Sequence, residues 1–194
     1  MNKFFKWFLG CLFLIAISLS LYSFFVDGSL LAPRKSPIDT VSFSKNDLEL
    51  DIVYNRPSKR GREVFGGLVP YKQVWRTGAN EATTFKTNKP LRINNDSLPA
   101  GKYTLWTIPN DSTWQVMFNS KQYPWGVDTE MKPMREVEFD VITLSVPVQP
   151  TGITVEQFTL GFDNALDHLS LTMAWDETKI AVPLESFDKK ISTK

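Results

Sequence analysis

The chain has 194 residues, with 22 basic against 21 acidic side chains and a formal net charge of +1. That balance excludes the strong positive field by which a protein gathers nucleic acid or an acidic partner, so no nucleic-acid partner is expected. One cysteine, Cys11, and one histidine, His168, exclude an intrachain disulfide and leave too few ligands for a structural or catalytic zinc centre; no metal and no cofactor is expected.

Trp7 to Val26 carries no charge. As a helix it spans about 30 Å, the thickness of a bilayer's hydrocarbon core, and only a helix satisfies its own backbone there. Lys3 and Lys6 precede it and Asp27 follows, so the basic flank favours a cytoplasmic amino terminus. Residues 1–27 therefore read as a signal anchor, a transmembrane helix that makes the membrane a partner. The folded remainder is expected outside the cytoplasm, in the periplasm or at the cell surface. A cleaved signal peptide fits less well, because the apolar run exceeds the usual ~7–15 residues. A lipoprotein signal ending at Leu9-Gly10-Cys11 fits least, since Lys6 lies too close to Cys11. Residues 28–37 read as a linker containing Pro33 and Pro37.

Past the linker, apolar residues recur with a period of two and no segment holds a helical period. Leu48, Leu50, Ile52 and Tyr54 alternate, and Thr83 to Thr87 is a short β-prone run. Leu91 and Ile93 lead into Asn94-Asn95-Asp96, a turn signal. Tyr103 to Ile108 is apolar or β-prone on both faces, as in a central strand. Trp114, Val116 and Phe118 alternate, and so do Val137, Phe139 and Val141. The phase then slips to Ile142, Leu144 and Val146, which predicts a bulge near Val141. Phe158, Leu160 and Phe162, then Leu169 to Trp175, then Ile180, Val182 and Leu184 complete the series. About nine strands at this turn spacing predict an all-β domain over residues 38–187, an antiparallel sandwich or a partly closed barrel. Residues 188–194 read as a polar tail.

Gly61 to Thr84 is too long and glycine-rich for a strand, and it concentrates Arg62, Tyr71, Trp75, Arg76, Asn80 and Glu81. Arg76 suits a carboxylate, a sulfate or a sugar acid, and it can pair with Glu81 across the turn that Gly78 allows. The bland alternative is that these polar groups satisfy the backbone of a long loop. Glu81 is the one candidate acid or base, which opens a second reading: hydrolysis of an envelope glycan. A glycosidase also needs a second carboxyl about 5–10 Å away, for which Glu63, Asp128, Glu130 and Glu136 are available. A third reading is a purely structural module.

Three blocks carry a resemblance: Gly61-Arg62 with Val64 to Tyr71, Val74 to Thr83, and Leu98 to Leu105. Together they resemble an uncharacterised bacterial envelope family, domain of unknown function 2911, with looser similarity to about Leu184. The resemblance implies a secreted or anchored β-rich protein and carries no activity with it.

Trp114 and Trp175 keep phase with aliphatic neighbours and read as core. Trp106 is opposite Leu105 in strand phase, so one of the two faces is not the ordinary core. Trp125, in Tyr123-Pro124-Trp125-Gly126, is either a plug over one end of the fold or a stacking platform for a flat ligand. His168 shares the polar face of its strand and reads as solvent-facing. Asp163, Asn164 and Asp167 read as a turn in preference to a calcium loop. Lys59, Arg60 and Arg62 read as a solvated basic loop. The sequence thus favours a non-enzymatic domain that binds a small molecule, a glycan or a protein through residues 61–84, with Trp125 contributing. On that reading, alanine at Trp75, Arg76 or Glu81 leaves stability within about 1 kcal/mol.

Overall fold

The computed structural model describes residues 2–24 and 34–187. The amino-terminal unit contains α1 (Lys3–Tyr22), whose mean hydropathy reaches 2.0, long and apolar enough by length and composition to cross a membrane. The expected span ran on to Val26, and its last two residues lie outside the described set, as does the polar tail at 188–194.

The second compact unit starts at Ser36 and is all β. β1 (Ile38–Lys45) and β2 (Leu48–Asn55) form a hairpin through Asn46 and Asp47. Both turn residues have positive φ (49° and 60°), the conformation of a two-residue turn that follows the strand twist and that Asn and Asp tolerate. β3 (Thr84–Thr87), β6 (Gly101–Ile108), β7 (Thr113–Asn119) and β8 (Asp140–Pro147) extend this pair into a six-stranded antiparallel sheet, ordered β1-β2-β3-β6-β7-β8. The opposing layer contains the long hairpin of β9 (Gln149–Ala165) and β10 (His168–Pro183). It also contains a small sheet in which β4 (Leu91–Ile93) lies between β11 (Glu185–Ser186) and β5 (Asp96–Leu98). The Leu184 amide donates to the Leu169 carbonyl and ties β11 to the start of β10. The sheets do not close into a barrel, which decides between the two architectures left open by the sequence.

One apolar core fills the space between the layers. Alternate residues of β2, β7 and β8, and of parts of β9 and β10, point into it, including Leu50, Ile52, Val116, Leu144, Leu160 and Met173. Rings concentrate at one end, where Phe65, Trp75, Trp114, Phe158 and Trp175 meet at centroid separations of 4.7–6.2 Å. Rings at these distances add about 0.5–1.5 kcal/mol per pair beyond simple burial.

The bulge is where the phase slip put it. Phe118 pairs with Ile142 but Asn119 pairs with Asp140, so Val141 is the extra residue. The strand expected at Val137 and Phe139 is absent: those residues form a 3-10 turn with exposed side chains. Their alternation had no facing layer to bury it, so the turn's local bonds decided the backbone. β1 and β5 carry too few large apolar residues to stand out in the sequence.

Candidate functional site

β6 is central and turns side chains to both faces. Leu105 enters the main core, while Trp106 is fully buried on the other side with Met117, Ala82 and Tyr123. That outer face is covered by two long connections, residues 56–83 and 120–139. The first is fastened by reciprocal bonds between Trp75 and Thr107: the Trp75 amide donates at 2.7 Å and the Thr107 amide at 3.0 Å. Paired residues in an antiparallel bridge share a face, so Trp75 goes inward with Thr107 and the next pair, Arg76 and Trp106, faces outward together. The Leu105 amide donates to the Thr83 carbonyl at 2.9 Å, which brings Ala82 to Trp106 from the other end of the same loop.

Between these fastenings the backbone is strained. Thr77 has φ 56°, Gly78 φ 154° and Asn80 φ 55°. A β-branched residue at positive φ costs on the order of 1–3 kcal/mol and persists only where its surroundings hold it. Several bonds do so. Thr77 Oγ1 bonds Thr107 Oγ1 at 3.2 Å, Thr83 Oγ1 donates to the Thr77 carbonyl at 2.6 Å, and Trp75 Nε1 donates to the Gly78 carbonyl at 2.9 Å. A Cβ on Gly78 would meet the Asn55 carbonyl and Thr83 Oγ1 at 3.1 Å each, so glycine is needed for close approach as well as for its φ.

The loop surrounds a polar cluster. Asn55, buried at the end of β2, donates through Nδ2 to Glu81 Oε2 at 2.9 Å and accepts from Asn80 Nδ2 at 3.4 Å. Asn80 Nδ2 also donates to the Ser36 carbonyl at 3.3 Å. Arg76 is half-buried beside this cluster, and its Nε is buried with no hydrogen-bond partner. Burial pushes the guanidinium below its ordinary pKa, and the charge of Glu81 works in the opposite direction. Gly126, at φ 81°, brings the second connection down onto Arg76: a Cβ there would lie 3.0 Å from Ala82 Cβ and 3.2 Å from Arg76 Cβ. Trp125, 47% exposed, sits next to that contact in the chain.

The candidates read from the sequence therefore divide. Arg76, Asn80 and Glu81 come together, and Gly126 places the Trp125 segment against Arg76. Trp75 instead lies in the aromatic end of the main core, stacked 6.1 Å from Trp175 at an interplanar angle of 20°. Arg62 donates to the carbonyls of Lys59 and Ser58 and closes its own turn. The Tyr71 ring covers Gly66 and is 38% exposed. Among the proposed second carboxyls, Asp128 Oδ1 accepts from the Glu130 and Lys132 amides, Glu130 pairs with Lys132, and Glu136 pairs with Lys121. Glu63 Oε1 lies beside Gly66. His168 is exposed. Asp163 caps the Ala165 amide, and Asp167 pairs with Lys45.

Sequence reasoning missed Asn55 and Gly126. Asn55 follows an alternating strand and carries no motif. Gly126 is one glycine in a turn-like segment, and its close approach exists only once two distant loops meet.

The sequence model of a family described as Protein of unknown function (DUF2911) matches residues 36–184. The chain belongs to this family. No curated protein and no solved structure matches it. The match begins with the compact unit at Ser36 and ends at Leu184, so the DUF2911 domain includes both layers and the Arg76 loop.

Proposed function

We propose that the DUF2911 domain is a ligand-binding module, held outside the cytoplasm by its amino-terminal helix, and that its ligand carries an anionic group received at Arg76. The observation that carries this reading is a half-buried guanidinium whose buried Nε has no partner, set in a loop where Thr77 and Asn80 both hold positive φ. A guanidinium kept for stability is normally satisfied, because leaving a buried donor unpaired costs about 1–3 kcal/mol. Strain and an unmet donor at one place are features that folding alone disfavours and that a ligand would repay. Binding is favoured over glycan hydrolysis because Glu81 holds Asn55, while Asp128, Glu130 and Glu136 are engaged at their own turns and pairs.

The test is a thermal-shift and calorimetric screen of the full-length protein in detergent against carboxylates, sulfate and sugar acids. A ligand at a hundred times its Kd stabilises the fold by about 2.7 kcal/mol. That gain is expected in the wild type and lost in Arg76→Gln, whose own stability stays within about 1 kcal/mol of wild type. Equal responses from the two proteins, or unfolding of the variant, would overturn the proposal.

A further inference from the structure

Among the described residues, three buried side-chain nitrogens lack a hydrogen-bond partner: Arg76 Nε, Trp106 Nε1 and Trp114 Nε1. Trp114 belongs to the main core, among rings. Arg76 and Trp106 differ from it in being cross-strand neighbours on the outer face of β6, by the register of the Trp75–Thr107 bridge. Their Cβ atoms are therefore expected about 4.5–5.5 Å apart. Trp106 is fully buried, held edge-on by Tyr123 at 5.3 Å, so its N–H cannot turn to solvent. The Arg76 stem lies close to Gly126, where an added Cβ would meet Arg76 Cβ at 3.2 Å and Cδ at 3.4 Å. Two unpartnered buried donors, one of them charged, are thus carried by cross-strand neighbours on one face of β6.

Resting on the reading of Arg76 as an anion receptor, we infer that Arg76 Nε and Trp106 Nε1 together bind the carboxylate of a small monoanionic ligand. A carboxylate has acceptors only, and its two oxygens suit two fixed N–H groups. The neighbouring charge of Glu81 sets the valence. The Glu81 carboxylate opposes each added negative charge, so a singly charged guest is penalised less than a doubly charged phosphate. Trp125, half exposed and adjacent to Gly126 in the chain, is the apolar ring proposed to receive the body of the ligand.

The experiment is a titration of the full-length, 15N-labelled protein in detergent micelles with acetate, and separately with inorganic phosphate. The Trp106 indole resonance is identified by its loss in Trp106→Phe. Acetate is expected to shift the Trp106 indole N–H saturably and to leave Trp114, the control donor in the core, unmoved. Arg76→Gln and Arg76→Lys are each expected to weaken the acetate response about tenfold or more, since both lose the Nε donor. Intact folding of each variant is read from its unchanged Trp114 and Trp175 resonances. If acetate binding depends on Arg76 but leaves Trp106 unmoved, the two-donor site is overturned and the Arg76 reading survives. If phosphate binds better than acetate, the carboxylate assignment is overturned. If neither probe moves either residue, both readings fail.

Discussion

Trp75 and Arg76 are adjacent in the chain and opposite in role. The two-residue beat of an extended segment turns one side chain into the core and the next to the outer face, so the Trp75 ring joins Phe158 and Trp175 while Arg76 shares the outer face with Trp106. The sequence grouped both as ligand candidates because it shows proximity along the chain and not direction. Trp75→Ala is therefore expected to cost about 3–5 kcal/mol in urea unfolding, as large-to-small changes in a packed core do. Arg76→Met is expected to leave stability unchanged or raise it, since it removes a desolvated charge whose Nε has no partner. Equal losses at the two positions would show that the outer-face cluster is as structural as the core. Gly78→Ala is expected to destabilise the loop, because it adds a Cβ 3.1 Å from two oxygen atoms at a φ of 154°. Gly78 was legible in sequence as the turn-forming residue; the Asn55 carbonyl that makes it indispensable was not.

The strands themselves were legible wherever alternation coincided with a facing layer. β2, β7 and β10 were read from their beat, β6 from a run apolar or β-prone on both faces, and the bulge at Val141 from a one-residue slip. Val137 and Phe139 misled because the same beat recurs by chance in an exposed connection, and periodicity carries no information about whether anything faces it. Tyr54 shows how two such elements are joined across the core. Its hydroxyl accepts the Leu160 amide at 3.0 Å, and its ring meets Phe158 edge-on at 5.9 Å, linking β2 to β9. Burial raises the Tyr54 pKa above its ordinary value. The folded state therefore holds this proton more tightly than the unfolded chain does. The associated stability is present below the unfolded pKa of about 10 and is lost as pH rises through the folded value. Tyr54→Phe is expected to cost about 1–3 kcal/mol at neutral pH by leaving the Leu160 amide unpaired, and to flatten the alkaline loss in a pH series of unfolding curves. An unchanged alkaline limb would assign that loss to other tyrosines, of which Tyr103 is also raised by burial.

At the scale of the whole molecule, an apolar helix precedes a DUF2911 domain that matches its family from residue 36. If α1 anchors the protein, the full chain stays in the membrane pellet after an alkaline carbonate wash. A soluble species starting beyond the helix would identify a cleaved signal instead. By itself the sequence determined the apolar helix, the all-β class, most strand positions and the loop worth watching, because each depends on local chemistry: hydropathy, period, turn residues and an unusual run of polar groups. Only the tertiary structure decided sandwich against barrel, sent Trp75 inward and Arg76 outward, and brought Asn55, Trp106 and Gly126 to the same loop. Those outcomes depend on strand register and on contacts between segments far apart in the chain, which a one-dimensional pattern does not contain.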